Sequence, residues 1–127
     1  MKVKFLRCKH CGNFTMVLHD SGIPMVCCGE QMQEVFANVE ENVALEKHIP
    51  VVEVGMNSVK VMIGGVEHPM LEAHHIEWIY VLTSHGGKVK HLKVGEKPVA
   101  DFALLKDEKV LEVYEYCNLH GLWKTVL

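Results

Sequence analysis

The stretch VLEVYEYCNLHGLWKTV, residues 110–126, sets the fold that we predict for this chain. Apolar runs at 110–116 and 122–126 predict two β-strands, and the polar and glycine residues between them predict a turn. The turn carries Cys117 and His120. Cysteine and histidine give sulfur and nitrogen ligands to transition metals, and CxxH spacing lets one tight turn direct both at one ion. The stretch therefore predicts a metal-binding turn between two strands.

A CxxH pair also describes a buried free cysteine beside an unrelated surface histidine. Three further histidines favour a metal site: His48, His68 and His74 each stand beside residues typical of strand ends and turns. One thiolate and four imidazoles thus make five candidate ligands. The other histidines lack such partners and are assigned to the surface or to the surroundings of the site: His10, His19, His75, His85 and His91. At a strand start neighbouring side chains diverge, so at most one of His74 and His75 should reach the metal.

Length and composition limit the class of protein. A chain of 127 residues with 49% hydrophobic content predicts one ordinary core, with room for a small appendage. The net charge of -3 gives no basic surface for nucleic acid. The first residues contain no long apolar run, so we expect neither a secretory signal nor a membrane span, and we expect a cytoplasmic location. In that compartment five cysteines are more typical of metal ligands or free thiols than of disulfides.

Cysteine usage divides the chain, because four of the five cysteines fall in its first 28 residues: Cys8, Cys11, Cys27 and Cys28. We predict a boundary near residues 36–40 and two domains, at 1–37 and 38–127. In the first, strand-like runs at 14–18 and 23–26 flank a predicted turn at 20–22. A segment this short rarely folds on hydrophobic burial alone, so four cysteines binding one ion would supply the missing stability.

The four early cysteines form a CxxC pair, fifteen intervening residues, and an adjacent pair. CxxC is the spacing of a metal knuckle that presents two thiolates to a tetrahedral ion. The side chains of adjacent Cys27 and Cys28 tend to diverge, so we expect a distorted tetrahedron. Sulfur coordination suits zinc or iron, and spacing alone leaves both open.

The remainder of the chain reads as all-β. Turn residues separate seven predicted strands, which lie at residues 51–54, 59–63, 76–83, 88–94, 99–104, 110–116 and 122–126. Seven short strands in about 90 residues predict an immunoglobulin-like β-sandwich. A single helical turn is predicted near residues 43–47. On this framework the five candidate ligands fall in connecting segments, and loops at one end of a sandwich could bring them together.

Four separated motifs resemble desulfoferrodoxin, the family of two-iron superoxide reductases. They are EKHIP at 46–50, HPM at 68–70, HHIEWI at 74–79 and YCNLHG at 116–121. They occur in the order of the family, and the resemblance covers the whole chain, including the cysteine pattern of the amino-terminal desulforedoxin-like domain. Ala73 stands where members often have lysine, and His75 stands where an aromatic residue is frequent.

The resemblance implies two iron centres and an activity. The first centre is a distorted rubredoxin-type iron bound by Cys8, Cys11, Cys27 and Cys28. The second is the catalytic iron, with an axial thiolate and four equatorial imidazoles, bound by Cys117, His48, His68, His74 and His120. The implied reaction is the one-electron reduction of superoxide to hydrogen peroxide, a detoxification in which rubredoxin or a similar carrier supplies electrons to a homodimer.

The resemblance also implies catalytic roles for two residues before His48. Lys47 would steer the superoxide anion, and Glu46 would occupy the sixth position in the oxidised enzyme and help displace peroxide. A glutamate and a lysine before a strand are otherwise typical of an exposed ion pair or a solvated loop. These two roles are therefore expectations that depend on the neighbouring His48 motif.

Two other classes of protein remain open on sequence. A β-sandwich with histidines and a late cysteine also suits a blue-copper electron-transfer site, but a weak axial methionine normally follows the last histidine there, and the last methionine here is Met70. The second class is a zinc-stabilised binding module whose histidines are incidental. An electron-transfer metalloprotein without superoxide reductase activity is the alternative to the implied enzyme.

Overall fold

The computed structural model of the protein describes residues 2–40, 47–65 and 67–127. The chain divides into two compact units, Met1–Phe36 and Ala37–Leu127. Every regular element in the described ranges is a β-strand, so the mainly-β prediction is confirmed. Within those ranges no helix has the length and apolar character needed to cross a bilayer. The helical turn predicted at 43–47 falls almost entirely outside the described residues.

The first unit consists of very short antiparallel strands. They are β1 Phe5–Arg7, β2 Phe14–Met16, β3 Val26–Cys27, β4 Glu30–Gln31 and β5 Gln33–Val35. One sheet has the order β2-β1-β5, and β3 pairs with β4. The run predicted at 23–26 is a strand only at its end, and β2 pairs with β1 rather than across the turn at 20–22. Strands of two or three residues have too few positions to show alternation, which is why the sequence did not predict β1, β4 and β5.

The second unit has seven strands in the ranges described, arranged in two antiparallel sheets. They are β6 Pro50–Val54, β7 Ser58–Ile63, β8 Ile76–Thr83, β9 Gly86–His91, β10 Val99–Ala103, β11 Val110–Cys117 and β12 Gly121–Val126. The sheets have the orders β10-β7-β6 and β12-β11-β8-β9. Each of these seven strands overlaps one of the seven predicted strands. β9 begins earlier than predicted because Thr83 pairs with Gly86 across a two-residue turn, and Gly86 adopts a φ of 121° that favours glycine.

The core of the second unit lies between its two sheets. Along β7, Val59, Val61 and Ile63 are buried while Ser58 and Lys60 are exposed, the period-two pattern of a half-buried strand. The facing sheet contributes a matching set of buried side chains: Ile76, Ile79, Val81, Val113 and Cys117. Full burial of such an aliphatic side chain stabilises a fold by roughly 1.5–3 kcal/mol. The candidate ligand Cys117 is thus part of the hydrophobic core.

Strand pairing becomes irregular where β11 reaches Cys117. Tyr116 lies opposite Trp78, whereas Cys117 lies opposite Ile76, so β8 has one extra residue, Glu77, at this point. Such a bulge reverses the alternation of a strand and allows Ile76 and Ile79 both to enter the core. Bulges often occur beside functional sites because they redirect side chains, and this one lies next to the predicted metal-binding turn.

Acid sensitivity of the second unit should depend on Glu108. Its buried carboxylate accepts hydrogen bonds from Thr83 Oγ1 at 2.5 Å and Leu105 N at 2.9 Å and lies 3.3 Å from Lys88 Nζ. These partners, the Thr83 hydroxyl first, lower the pKa of Glu108 from 4.5 to about 2. A carboxylate with a depressed folded-state pKa stabilises the fold above its unfolded pKa, and that contribution is lost as pH falls from about 4.5 towards 2.

We expect Glu108→Gln in metal-free protein to lower the melting temperature at neutral pH and to lose less stability than the parent between those two pH values. Fluorescence of Trp78 and Trp123, which both lie in the second unit, follows the transition. The control is Glu53→Gln, at an exposed position of β6. Equal acid sensitivity in the parent and Glu108→Gln would contradict the prediction.

Candidate metal centres

The first unit brings its four cysteines together. The sulfur atoms of Cys8, Cys11, Cys27 and Cys28 all lie within 4.8 Å of one another. The CxxC half forms a knuckle in which Gly12 N donates to Cys8 O at 2.9 Å and Cys8 N donates to Asn13 O at 2.9 Å. Gly12 has a φ of 81°, a conformation that a side chain would disfavour. The turn therefore directs both thiols of the CxxC pair to one point.

The adjacent cysteines reach the same point through an unusual backbone conformation. Cys27 ends β3, and Cys28 follows with a φ of 54°, in the left-handed region that non-glycine residues rarely adopt. Gly29 continues the turn with a φ of 74°. Two successive left-handed residues reverse the chain between β3 and β4, so the divergence expected of neighbouring side chains is overcome. Cys11 Sγ and Cys27 Sγ lie 3.6 Å apart.

Electrostatics at this cluster suit a bound cation. The backbone N–H of Cys11 lowers the pKa of Cys8 to about 6. Hydrogen bonding to neighbouring sulfur atoms, that of Cys11 first, raises the pKa of Cys28 to about 12. Four thiolates at these distances repel one another, so full ionisation requires a compensating positive charge. A tetrahedral zinc or iron ion provides it, and the donor set fits either metal.

The second cluster is a ring of four imidazoles. Neighbouring ring centroids lie 4.6 Å apart for His48 and His68, 4.7 Å for His68 and His74, 5.1 Å for His74 and His120, and 5.0 Å for His120 and His48. His48 and His74 lie 6.4 Å apart, as the diagonal of a square exceeds its side. The order around the ring is therefore His48, His68, His74, His120. Four imidazoles in this order surround one point, and their nitrogen donors would hold one ion there.

The thiol of Cys117 lies against this ring. Its sulfur is 3.8 Å from His68 Nε2 and 4.0 Å from His120 Nδ1, which are opposite members of the ring. A sulfur near two opposite corners lies over the ring rather than at its edge. Cys117 therefore lies against one face of the ring, from which its thiolate would bind an ion held by the imidazoles. Cys117 and His48 are completely buried, and His68 nearly so.

Strand ends at one end of the sandwich position these five side chains. His48 precedes β6, His68 and His74 lie between β7 and β8, Cys117 is the last residue of β11, and His120 lies in the turn before β12. The core packing of β8 and β11 fixes the positions from which the ligand loops depart. The sequence placed all five candidates in connecting segments, which is correct except for Cys117, the last residue of β11. The donor atoms of four of them, His48, His74, Cys117 and His120, all lie within 4.8 Å of one another. His68 Nε2 joins them, 3.0 Å from His48 Nε2 and 3.8 Å from Cys117 Sγ.

Surrounding groups orient the imidazoles. His68 Nδ1 donates to Pro69 O at 2.8 Å, which leaves Nε2 as the lone-pair nitrogen facing the cluster. Trp123 stacks on His48 with centroids 4.8 Å apart, and its Nε1 donates to His120 O at 3.1 Å. The stacking of Trp123 on His48 could not be predicted from the sequence, because these two residues are far apart in the chain.

A buried nitrogen at this cluster tests whether a metal fits. His74 Nε2 is buried and has no hydrogen-bond partner among the described residues. An isolated buried polar atom costs free energy, which a coordinate bond to a metal would recover. His48 Nε2 and His68 Nε2 also lie 3.0 Å apart and face the same centre. The donor set and this nitrogen both fit a bound ion.

Three other residues singled out in the sequence have different outcomes. His75 stays outside the cluster, and its Nδ1 donates to Leu71 O at 2.9 Å. Lys47 is exposed and directly precedes His48. Glu46 lies outside the described residues.

These two centres define a two-site non-haem metalloprotein, and comparison with known proteins narrows the class. The amino-terminal domain of desulfoferrodoxin matches residues 2–35, and the main desulfoferrodoxin domain matches residues 40–126. The chain belongs to the desulfoferrodoxin family. The resemblance seen in its motifs is therefore confirmed, as is the prediction of one four-cysteine and one four-histidine, one-cysteine iron centre.

Two of the relatives match nearly the whole chain, and a third matches about two thirds of it. Desulfoferrodoxin of Nitratidesulfovibrio vulgaris is 46% identical over 118 residues, covering 93% of this chain and 91% of the relative. The superoxide reductase from Treponema pallidum superposes with a TM-score of 0.81 at 39% identity and covers 98% of this chain and 97% of that chain. The superoxide reductase (1Fe-SOR) from Giardia intestinalis has a TM-score of 0.56 at 32% identity, covering 65% of this chain and 97% of that chain.

Proposed function

We propose that this protein is a superoxide reductase, which converts superoxide, one electron and two protons into hydrogen peroxide. The observation that carries the proposal is the ring of four imidazoles with the Cys117 thiol against one face. The names of the structural relatives from Treponema pallidum and Giardia intestinalis support the same activity.

The proposed ligands of the catalytic iron are His48, His68, His74, His120 and Cys117, and those of the other iron are Cys8, Cys11, Cys27 and Cys28. When bound, iron supplies a one-electron redox couple and a binding position for the superoxide anion. The Cys117 thiolate adds negative charge that stabilises the more oxidised state of the centre. Because Cys117 is fully buried, water screens this charge weakly, and its effect is larger than at the surface.

Two residues that directly precede His48 in the sequence are proposed to attract superoxide and to displace the product. Lys47 is exposed next to His48, so its ammonium is available to attract superoxide. Glu46 is proposed to occupy the sixth position in the oxidised enzyme and to help displace the product.

Electrons are proposed to come from rubredoxin or a similar small carrier. The ligands of the two centres belong to different compact units and share no residue. We propose a domain of residues 1–37 for the first iron and a catalytic domain of residues 38–127 for the second. The coverage of the Giardia intestinalis protein supports a catalytic unit that works without the first.

The assembly and location are also proposals. A homodimer is supported by large apolar side chains exposed on the first unit, where Leu18 is 88%, Ile23 75% and Phe36 75% exposed. Apolar exposure of this extent on so small a unit is typical of a surface that another chain covers. A cytoplasmic location is supported by five cysteines that form no disulfide in the structure.

The test generates superoxide by pulse radiolysis with iron-loaded protein, metal-free protein and iron-loaded Cys11→Ser. Iron-loaded protein should consume superoxide and release peroxide without oxygen, and metal-free protein should leave only uncatalysed decay. Cys11→Ser should lose the first iron and retain most of the activity when a reductant is supplied, because Cys11 is not a ligand of the second centre.

Uncatalysed decay with iron-loaded protein would favour an electron-transfer protein without reductase activity. Loss of activity in Cys11→Ser with the second iron still bound would mean that electrons must pass through the first centre, and would contradict the proposed independence of the two sites.

A further inference from the structure

Asn118, between the ligand Cys117 and Leu119, connects two loops of the second unit. Its Oδ1 accepts a hydrogen bond from His75 N at 2.8 Å, and its Nδ2 donates to Ala73 O at 3.0 Å. Its backbone N donates to His75 O at 3.2 Å. One residue of the CxxH turn thus contacts both neighbours of His74 in sequence.

The loop on the other side of these bonds has its own closed geometry. Leu71 N donates to His74 O at 2.9 Å, and His74 N donates to Leu71 O at 3.1 Å. The His75 ring also donates to Leu71 O. Fixing Ala73 and His75 therefore leaves the backbone of His74 little freedom. These bonds lie just beyond the Ile76–Cys117 pair, where the bulge interrupts regular pairing of β8 with β11.

We propose that Asn118 is a positioning residue that aligns ligands of the second centre before the metal binds. Its side chain ties the turn carrying Cys117 and His120 to the loop carrying His74, and so holds three of the five proposed ligands in register. The inference rests on the proposed function, because it takes these side chains as metal ligands. It assigns to Asn118 no contact with the ion or the substrate.

The role requires a carboxamide of this length. The Ala73 carbonyl needs a donor and the His75 N–H needs an acceptor, and the amide of asparagine supplies both from one rigid plane. Aspartate offers only acceptors when ionised, and alanine offers neither. Without the amide, the two loops must be ordered when the metal binds, and the lost conformational entropy weakens binding.

The expected loss of metal affinity is estimated from other groups that orient metal ligands. Their removal typically weakens metal binding by roughly 10- to 100-fold. We expect Asn118→Ala to weaken binding at the second centre by this factor. A group that merely stabilises the fold would instead lower the stability of the metal-free protein and leave metal affinity unchanged.

The experiment titrates metal-free protein with cobalt(II) in a Cys11→Ser background and follows the thiolate-to-cobalt absorption of the second centre. Asn118→Ala is compared with Asn38→Ala, whose Nδ2 donates to Leu122 O at 3.3 Å in the same unit but joins no two ligand loops. We expect weaker cobalt binding in Asn118→Ala and parental binding in Asn38→Ala. Parental affinity in Asn118→Ala, or an equal loss in both variants, overturns the proposal.

A second measurement uses the wild-type chain and so does not depend on folding of a variant. Hydrogen exchange of the His75 amide in metal-free protein reports whether its bond to Asn118 exists before metal arrives. We expect this amide to be protected, and exchange as fast as that of an open amide overturns the proposal. Neither measurement uses superoxide, so failure here is distinguishable from failure of the proposed reductase activity.

Discussion

Cys117→Ser is expected to lower superoxide reductase activity by more than about 100-fold. Removing a group that only orients a metal ligand costs up to about 100-fold, and Cys117 is itself a proposed ligand. Serine nearly preserves the size of this completely buried residue. The substitution replaces a thiolate with a neutral hydroxyl, which is a poor iron ligand. The proposed negatively charged ligand is therefore lost. The thiolate-to-iron absorption of the oxidised second centre should disappear with the activity.

Absorption spectra of oxidised, iron-loaded protein test this assignment, with Cys11→Ser as the reciprocal control. Cys11→Ser removes a thiol from the first centre, so it should keep the second-centre band and lose that of the first. Cys117→Ser should show the opposite pattern. Survival of the second-centre band in Cys117→Ser would show that a different sulfur is the axial ligand.

Lys47→Ala is expected to slow oxidation of the ferrous second centre by superoxide by roughly 10- to 10³-fold, the range of electrostatic steering. Residues 38–127 contain nine lysines and no arginine against thirteen acidic residues, which gives about -4. The overall field of this region therefore repels an anion, and fast capture requires a local cation. Lys47 is exposed beside the proposed ligand His48, so it is placed to supply that charge.

Pulse radiolysis at several salt concentrations separates local steering from net charge. At 0.15 M salt the screening length is about 8 Å, so a distant lysine should contribute little. The control is Lys109→Ala, an exposed residue that precedes β11 at the end opposite Cys117. Both variants lose one positive charge, but only Lys47→Ala should slow capture and flatten or reverse the salt dependence. Equal rates and salt slopes for Lys47→Ala and the parent would place the steering charge elsewhere.

The seven strands of the second unit were predictable because turn residues separate short apolar runs, which are continuous in β8 and alternating in β7. Val59, Lys60 and Val61 on β7 show the pattern, and glycine-containing turns mark the strand ends. The first unit lacked this signal, since its strands of two or three residues are organised by the cysteine turns. Cys28 shows the limit most clearly, because its left-handed backbone has no signature in the sequence beyond the glycine that follows it.

The ligands were visible in the sequence, but their mutual arrangement was not. Cysteine and histidine residues can be recognised as candidate ligands from their chemistry and their spacing within a turn, as Cys117 and His120 show. The order of imidazoles around the ring depends on how loops from different strands meet. Support from Trp123 and Asn118 could not be predicted, because tryptophan and asparagine have common structural uses and their partners are distant in the chain.

The arrangement of the four early cysteines also determines how their thiols react with oxidants when no metal is bound. Cys11 and Cys28 are exposed, and the sulfur of Cys11 lies 3.6 Å from that of Cys27. Thiols this close and this accessible can be oxidised by hydrogen peroxide to sulfenic acid, which condenses with a neighbouring thiol to a disulfide. A metal ion bound by these four cysteines would therefore also protect them from oxidation by the product that the second centre is proposed to release.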